Sequence, residues 1–157
     1  RSGALSINRR PKMTRPLKIA IIKARWHADI VDQIQIGFEN EMKHKHRKYD
    51  LKEVNVPGAL EMPLVAKKLA ETGKYDGIIC AALVVNGGIY RHEFVAQAVL
   101  DGIVRAGMDT GVPVYSVSLT PHEFQETPDH IEFYTKHFFK KGSEVANAVL
   151  MMDELDI

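Results

Sequence analysis

The feature that most constrains the fold is an apolar run that ends at paired glycines. Residues 78–85 are apolar without interruption, Gly87 and Gly88 follow, and residues 90–93 bring titratable side chains to the start of a new helical pattern. Such a run is typical of a strand buried on both faces of a parallel sheet. Glycines let the backbone approach a ligand closely, and the first N–H groups of the next helix are free to bind it. The run therefore predicts an α/β protein with a site at the end of this strand.

Strand and helix patterns alternate along the whole chain. Apolar runs predict strands at residues 17–22, 49–56, 75–85 and 113–119. The helical stripes between them are Ile30, Ile34, Phe38 and Met42; then Leu60, Leu64, Val65 and Leu69; then Val95, Ala98, Val99, Gly102 and Ala106. Strands that alternate with helices favour a parallel sheet covered on both faces. We therefore predict a three-layer α/β/α sandwich, flavodoxin-like, with a central four-stranded parallel sheet.

Glycines and prolines predict where the helices begin and end. Gly73 and Gly107 are expected to end the second and third helices. After the fourth strand, residues 120–123 and 127–129 each place proline at a first helical position, and Pro128 breaks any helix that began earlier. A last apolar stripe, Val145, Ala148, Val149 and Met152, predicts a final helix from about Ser143. Two helices are thus expected after the fourth strand.

Length and composition limit the classes of function. The chain has 157 residues and a net charge of +1, which argues for one core and against bulk nucleic-acid or membrane-surface binding. Cys80 is the only cysteine, so an internal disulfide and a cysteine-based zinc site are excluded. No apolar run approaches the roughly 20 residues of a membrane span, and no signal-peptide core is visible. These features favour a cytoplasmic protein.

The N-terminal residues read as a separate segment. Residues 1–15 carry Arg9, Arg10, Lys12 and Arg15 without an apolar period, which predicts a disordered basic tail or an expression remnant. Residues 16–157 are expected to form a single domain.

Four loops follow the predicted strands, and ligands of such sheets bind beyond the carboxyl ends of the strands. The first loop carries Trp26, the only tryptophan, which fits either a platform for a planar ring or a rim residue that closes the core. The second carries Glu61 in a first helical turn, where acids are favoured for dipole reasons alone. The fourth brings His130 to a helix start, which fits an anion site or ordinary capping by Thr127.

The third loop carries the strongest chemical signal. His92 beside Arg91 can act as a general acid or base near neutral pH, although a lone histidine is more often structural. The arginine and the glycines favour the functional interpretation. The seven histidines show no metal-binding spacing, so no metal site is predicted.

Several motifs resemble the lumazine synthase family. They are residues 57–63 (PGALEMP), 67–70 (KKLA), 75–79 (YDGII), 111–114 (GVPV) and 141–146 (KGSEVA), in order between about Leu17 and Met152. Residues 24–31 (ARWHADIV) and 87–92 (GGIYRH) are similar to the type II branch of that family. The resemblance implies condensation of 5-amino-6-(D-ribitylamino)uracil with 3,4-dihydroxy-2-butanone 4-phosphate to 6,7-dimethyl-8-ribityllumazine, with release of phosphate and water. It implies no metal or organic cofactor.

The resemblance also assigns roles by position. Trp26 stacks on the pyrimidine, and Gly58, Ala59, Leu60 and Glu61 surround the ribityl chain. Leu83, Val84 and Val85 offer backbone groups to the pyrimidine edge, Gly88 and Ile89 lie near the phosphate, and His92 moves the proton. Two positions depart from the commoner branch, where an arginine aligns with His130 and an aromatic residue aligns with Ser116. The family histidine falls on Arg91 without a gap and on His92 with a one-residue shift. We favour His92, because only imidazole titrates near neutrality, with Arg91 as an anion partner.

The family resemblance implies self-association with shared sites. Its members assemble as pentamers, which pair into decamers in the type II branch and form sixty-subunit shells in others. A non-catalytic flavin- or lumazine-binding protein of the same fold stays open as an alternative. A flavodoxin-like redox carrier is disfavoured, because the loop after the first strand lacks a Ser/Thr/Gly-rich phosphate cradle.

Overall fold

The computed structural model describes residues 15–85, 91–121 and 124–157. Strands and helices alternate in these parts. They are β1 (Leu17–Ala24), α1 (Ala28–His44), β2 (Tyr49–Val56), α2 (Met62–Glu71), β3 (Gly77–Leu83), α3 (His92–Thr110), β4 (Val114–Leu119) and α4 (Pro128–Asp153). A single 3-10 turn, Ala59–Glu61, leads into α2. Among the described residues, no helix combines the length and the apolar character that crossing a membrane requires.

The four strands form one parallel sheet in the order β2-β1-β3-β4. The central strand β3 is buried along its whole length, as the uninterrupted apolar run predicts, whereas the outer strands β2 and β4 are partly exposed. The predicted α/β/α sandwich is confirmed. Because β2 and β3 lie on opposite sides of β1, the direction of winding switches between β1 and β3, and a crevice is expected there at the carboxyl edge.

Side chains that alternate along β1 and β3 build two cores on opposite faces of the sheet. Leu17, Ile19 and Ile21 pack with α1 and α4, which we call the α1/α4 layer. Ala20, Ile22 and Ala24 pack with α2 and α3, which we call the α2/α3 layer. The period-2 alternation of a strand thus supplies both layers from one segment.

Two glycines bring α1 and α4 into close contact. A Cβ at Gly37 would collide with the backbone oxygen of Phe139, and one at Gly142 would collide with the backbone oxygen of Ile34. The prediction of a final helix from about Ser143 is wrong, because Gly142 lies inside one helix that runs from Pro128 to Asp153. A glycine is required at this position because the backbones of α1 and α4 come close together there, and not because the helix ends.

The proline-marked helix starts have different outcomes. Thr127 caps α4 as predicted, since its Oγ1 accepts a hydrogen bond from the His130 N–H at 3.3 Å. The start predicted at residues 120–123 falls partly on residues 122–123, which lie outside the described residues. Residues 124–126 are not helical.

The predicted helix ends are right for α2 and wrong for α3. Gly73, at φ +71°, follows the end of α2 as expected. The third helix continues past Gly107 to Thr110, and Gly111 supplies the left-handed residue at φ +74°. The left-handed conformation favours glycine because it lacks a Cβ.

The helical stripes are right for α1 and partly wrong for α2 and α3. Ile30, Ile34, Phe38 and Met42 are all buried on α1. Leu60 and Leu64 are instead more than half exposed, and Met62, Ala66 and Ala70 face the sheet. Ala98 is likewise exposed, and Ile103 fills the core on α3. The outer side of this layer is itself apolar, so hydrophobicity alone does not identify the inner one.

Candidate active site at the carboxyl edge of the sheet

A cavity of about 370 Å³ opens at the switch point between β1 and β3. It is lined by Ala24, Trp26, Gly58, Ala59, Leu60, Glu61, Leu83, Val84, Val85, His92 and Val95. The sequence predicts all of these residues except Ala24 and Val95. A mostly apolar concave surface with a few convergent polar groups is typical of a small-molecule site.

Trp26 lies in the short loop between β1 and α1. Its side chain lines the cavity and is 70% exposed in the isolated chain. An indole this exposed adds little to the core, so the geometry favours the platform over the rim residue. Because Ala24 and Trp26 face the cavity, the alternation of a strand directs Lys23 and Arg25 to the other side of β1.

His92 is the first residue of α3, and its imidazole forms part of the cavity wall. The residue is 9% exposed, and its Nδ1 lies 3.1 Å from Glu93 Oε1. That distance fits an ion pair, but Nδ1 has no partner of hydrogen-bond geometry among the described residues. The Glu93 backbone N–H in particular, together with His92 and Arg91, holds the pKa of the Glu93 carboxyl below its usual range. An imidazole that lies at a cavity beside a carboxylate is suited to proton transfer.

Arg91 lies just outside the cavity at the N-cap of α3. Its side chain is exposed, with Nη2 3.4 Å from Glu93 Oε2 and the guanidinium carbon 5.0 Å from the centre of the Phe94 ring. The guanidinium is therefore occupied by local contacts in the isolated chain. Between the two alignments of the family histidine, the geometry favours His92 as the group that faces the cavity.

The carboxylate of Glu61 organises the turn after β2 to which this residue belongs. Glu61 Oε1 accepts a hydrogen bond from the Gly58 N–H at 2.8 Å, and the Glu61 N–H donates to the Gly58 oxygen at 3.3 Å. Gly58 is extended, at φ −148°, so its backbone requires no glycine. A Cβ there would lie 3.2 Å from Glu61 Oε1, so a larger residue requires a small shift of the Glu61 side chain. Glu61 therefore shapes the turn that carries Ala59 and Leu60.

The segment after β3 forms the floor of the cavity. The Val84 N–H donates to the Leu119 oxygen at 2.8 Å, which commits this group to the sheet. Any backbone hydrogen bond to a ligand there must come from other groups of Leu83, Val84 or Val85. Gly88 and Ile89, which the sequence predicts near a phosphate, lie outside the described residues.

Ser116 and His130 do not line the cavity of the single chain. Ser116 is exposed on the edge strand β4, and its Oγ accepts from the Ser118 N–H at 3.3 Å. The Gln125 N–H donates to His130 Nδ1 at 3.1 Å, so the proton of the neutral ring lies on Nε2. His130 also lies in an aromatic cluster with Phe124 and Tyr134, and Phe124 contacts the His27 ring at 5.0 Å. The functional roles of Ser116 and His130 stay predictions.

Sequence reasoning missed the polar residues behind the Trp26 loop. Lys23, Arg25 and Asp32 form ion pairs on the side of β1 opposite the cavity. The available signal was Lys23, a lysine that follows the apolar residues 19–22 near the end of a strand, since a buried charge needs partners.

Comparison with known proteins identifies the family of the chain. The family described as 6,7-dimethyl-8-ribityllumazine synthase matches residues 16–156. The enzyme of that name from Rhodococcus erythropolis is 51% identical over 135 residues, covering 84% of this chain and 86% of the relative. The protein named 6,7-dimethyl-8-ribityllumazine synthase 2 from Pseudomonas syringae pv. tomato is 52% identical over 130 residues, covering 82% and 76%. Its namesake from Bradyrhizobium diazoefficiens is 44% identical over 138 residues, covering 88% and 83%. The chain therefore belongs to the 6,7-dimethyl-8-ribityllumazine synthase family.

Proposed function

We propose that this chain condenses 5-amino-6-(D-ribitylamino)uracil with 3,4-dihydroxy-2-butanone 4-phosphate to 6,7-dimethyl-8-ribityllumazine, the precursor of riboflavin. The observation that supports this most strongly is the convergence of Trp26, the turn at residues 58–61 and His92 on one cavity. A planar pyrimidine fits beside the indole, and its ribityl chain fits along the turn.

The reaction needs proton transfer and positioning. The substrate amine attacks the ketone carbonyl and one water leaves, phosphate is eliminated, and the ribityl-bearing amine closes the ring with loss of a second water. Each of these steps moves a proton, and His92 is the titratable group we assign to that task. Holding two substrates in reacting geometry supplies on the order of 7–11 kcal/mol in well-oriented cases. We assign this positioning to Trp26 and to the segments of Ala59 and Val85.

We assign the phosphate to Gly88 and Ile89, with Arg91 and His130 as cationic or donor partners. His130 stands at the N-terminus of α4, and its Nε2–H in the neutral ring is a donor suited to a phosphate oxygen. Because His130 does not line the cavity of its own chain, this assignment requires a site shared between neighbouring subunits.

The α2/α3 layer supports self-association. Leu60 and Leu64 are exposed one turn apart, and Leu100, Val104 and Met108 form an exposed row along α3. Apolar rows of this kind are typical of subunit interfaces. We propose that the chain forms pentamers, with Ser116 at the contact between neighbours, and that two pentamers pair into a decamer.

Formation of the lumazine chromophore from both substrates tests the proposed activity. His92→Ala is expected to lower turnover about 10²–10⁴-fold, the usual contribution of a general acid–base group. His44→Ala is the matched control, because His44 is exposed at the far end of α1 and should leave turnover unchanged.

Two results would contradict the proposal. A wild-type protein that binds the lumazine but makes none would be a binding protein of the same fold. A near-normal rate for His92→Ala would move the proton transfer to Arg91 or to solvent.

A further inference from the structure

A cluster of polar side chains around one buried lysine lies behind the Trp26 loop, on the face of β1 opposite the cavity. Its centre is Lys23, which is only 6% exposed. Lys23 Nζ lies 2.8 Å from Gln35 Oε1, 3.1 Å from Glu53 Oε1 and 3.2 Å from Asp32 Oδ1. An ammonium group has three N–H donors, and each has an oxygen within reach. Because a buried charge is costly without partners, these contacts fix the position of the Lys23 ammonium group.

Asp32 links this lysine to Arg25, the residue before Trp26. Both Arg25 Nη1 and Nη2 lie 2.9 Å from Asp32 Oδ1. Nη1 also lies 3.2 Å from Asn55 Oδ1, and Nη2 lies 3.4 Å from the Ala28 oxygen. Arg25 thus joins the ends of two strands to the start of α1.

The backbone on both sides of Trp26 is constrained. The Arg25 N–H donates to the Val56 oxygen at 3.1 Å, which continues the pairing of β1 and β2 by one residue. His27 follows Trp26 in the left-handed conformation, at φ 54° and ψ 51°. A residue with a Cβ adopts that conformation only where its surroundings hold it. The Ile30 and Val31 N–H groups, which both donate to the His27 oxygen, hold it from the α1 side.

In the isolated chain, few contacts hold the Trp26 indole in place. It is 70% exposed, so its average position depends on the backbone of residues 25–27 rather than on packing of the ring. An aromatic platform that moves freely must be ordered when its ligand binds, and that ordering weakens binding.

We propose that Arg25, held by the Asp32 carboxylate that Lys23 also contacts, is a positioning residue that orients the Trp26 indole for the pyrimidine substrate. This inference rests on the proposed function. Arg25 does not line the cavity and acts only through the loop that it anchors. Loss of the anchor affects binding of the pyrimidine more than the chemical step, because the indole contacts substrate and transition state alike.

Trp26 is the only tryptophan, so time-resolved anisotropy of tryptophan emission in the substrate-free protein reports on this indole alone. Arg25→Met and Asp32→Asn are expected to increase the amplitude of fast indole motion. The same variants should raise the KM for the pyrimidine substrate about threefold to tenfold, the range expected for ordering one side chain, with kcat nearly unchanged. Arg25→Lys should fall between Arg25→Met and the wild type, because it keeps the charge but loses the planar fork.

The matched control is Glu144→Gln, which breaks the exposed Lys141–Glu144 ion pair on α4. It should leave both the anisotropy and the KM at wild-type values.

If Arg25→Met fails to fold, Asp32→Asn carries the same test with a near-isosteric change. Wild-type anisotropy and an unchanged KM in a folded variant would overturn the inference. A wild type that makes no lumazine would instead contradict the proposed function, and the anisotropy of the free protein would still be measurable.

Discussion

The two helical layers are built on different principles. In the α1/α4 layer, Gly37 and Gly142 let the helix backbones touch, and the core side chains between them are enclosed by the chain itself. In the α2/α3 layer, leucine and valine side chains stand in rows on the outer surface. The exposed apolar residues of α1 and α4, Ile36, Ile131, Phe133, Met151 and Met152, form no such row. One layer is completed within the chain, and the other presents a surface suited to a second copy.

The candidate site belongs to the layer that is less enclosed. Leu60, His92 and Val95 line the cavity and come from the segments that carry the exposed rows. The α1/α4 layer contributes the anchor of the Trp26 loop from the far side of the sheet. The cavity thus lies on one face of the sheet, and the close helix contact and the anchor of the Trp26 loop lie on the other, which makes the difference testable by matched substitutions.

The largest effect is expected for alanine at the glycines of the two layers. Gly142→Ala should lower the free energy of unfolding by about 3 kcal/mol or more, because its Cβ meets the backbone of Ile34, which cannot shift without moving α1. Gly102→Ala on α3 places its Cβ 2.7 Å from the Pro63 side chain, and the shorter α2 can move outward, so the loss should be smaller. The helix-propensity gain of about 1 kcal/mol applies to both. Denaturant unfolding measures both values, and equal losses would contradict the difference between the layers.

A smaller effect is expected for lysine substitutions on the outer surfaces of the α2/α3 and α1/α4 layers. Val104 is 62% exposed in the α3 row, and Met151 is 71% exposed on α4. Val104→Lys should weaken self-association about tenfold or more, since fully burying such a side chain is worth about 1.5–3 kcal/mol. Met151→Lys should leave association unchanged.

Sedimentation velocity over a range of protein concentrations distinguishes the two surface variants. The α2/α3 layer would lose its role as an interface if Val104→Lys sediments like the wild type. Dissociation of Met151→Lys would show that the C-terminal part of α4 also takes part in assembly.

Hydrophobic periodicity predicts the buried faces of the helices better in the α1/α4 layer than in the α2/α3 layer. The α1 stripe is right because the large apolar residues of that helix, apart from the exposed Ile36, lie on one side, so the pattern favours one interpretation. On α2, apolar residues occupy both sides, and the smaller residues Met62, Ala66 and Ala70 face the sheet. The α4 helix is longer than predicted, because Gly142 does not end a helix but allows close contact with Ile34, more than a hundred positions away. No local sequence pattern shows such a contact.

The candidate site is predicted where loops carry distinctive residues. Trp26, His92 and residues 58–61 follow strand ends, where topology brings loops together, and family motifs mark the same positions. Ala24 and Val95 are missed because they resemble any core residue. The pairing of Arg25 with Asp32, Lys23 and Asn55 depends on the register of β1 with β2 and on the placement of α1, which only the folded structure supplies.

The most direct test of the cavity as the place of condensation uses the emission of Trp26. We expect titration with 5-amino-6-(D-ribitylamino)uracil to change that emission saturably, with a midpoint that matches the KM of the same substrate in lumazine formation. Normal lumazine formation with unchanged Trp26 emission at saturating substrate would place the reaction elsewhere in the molecule.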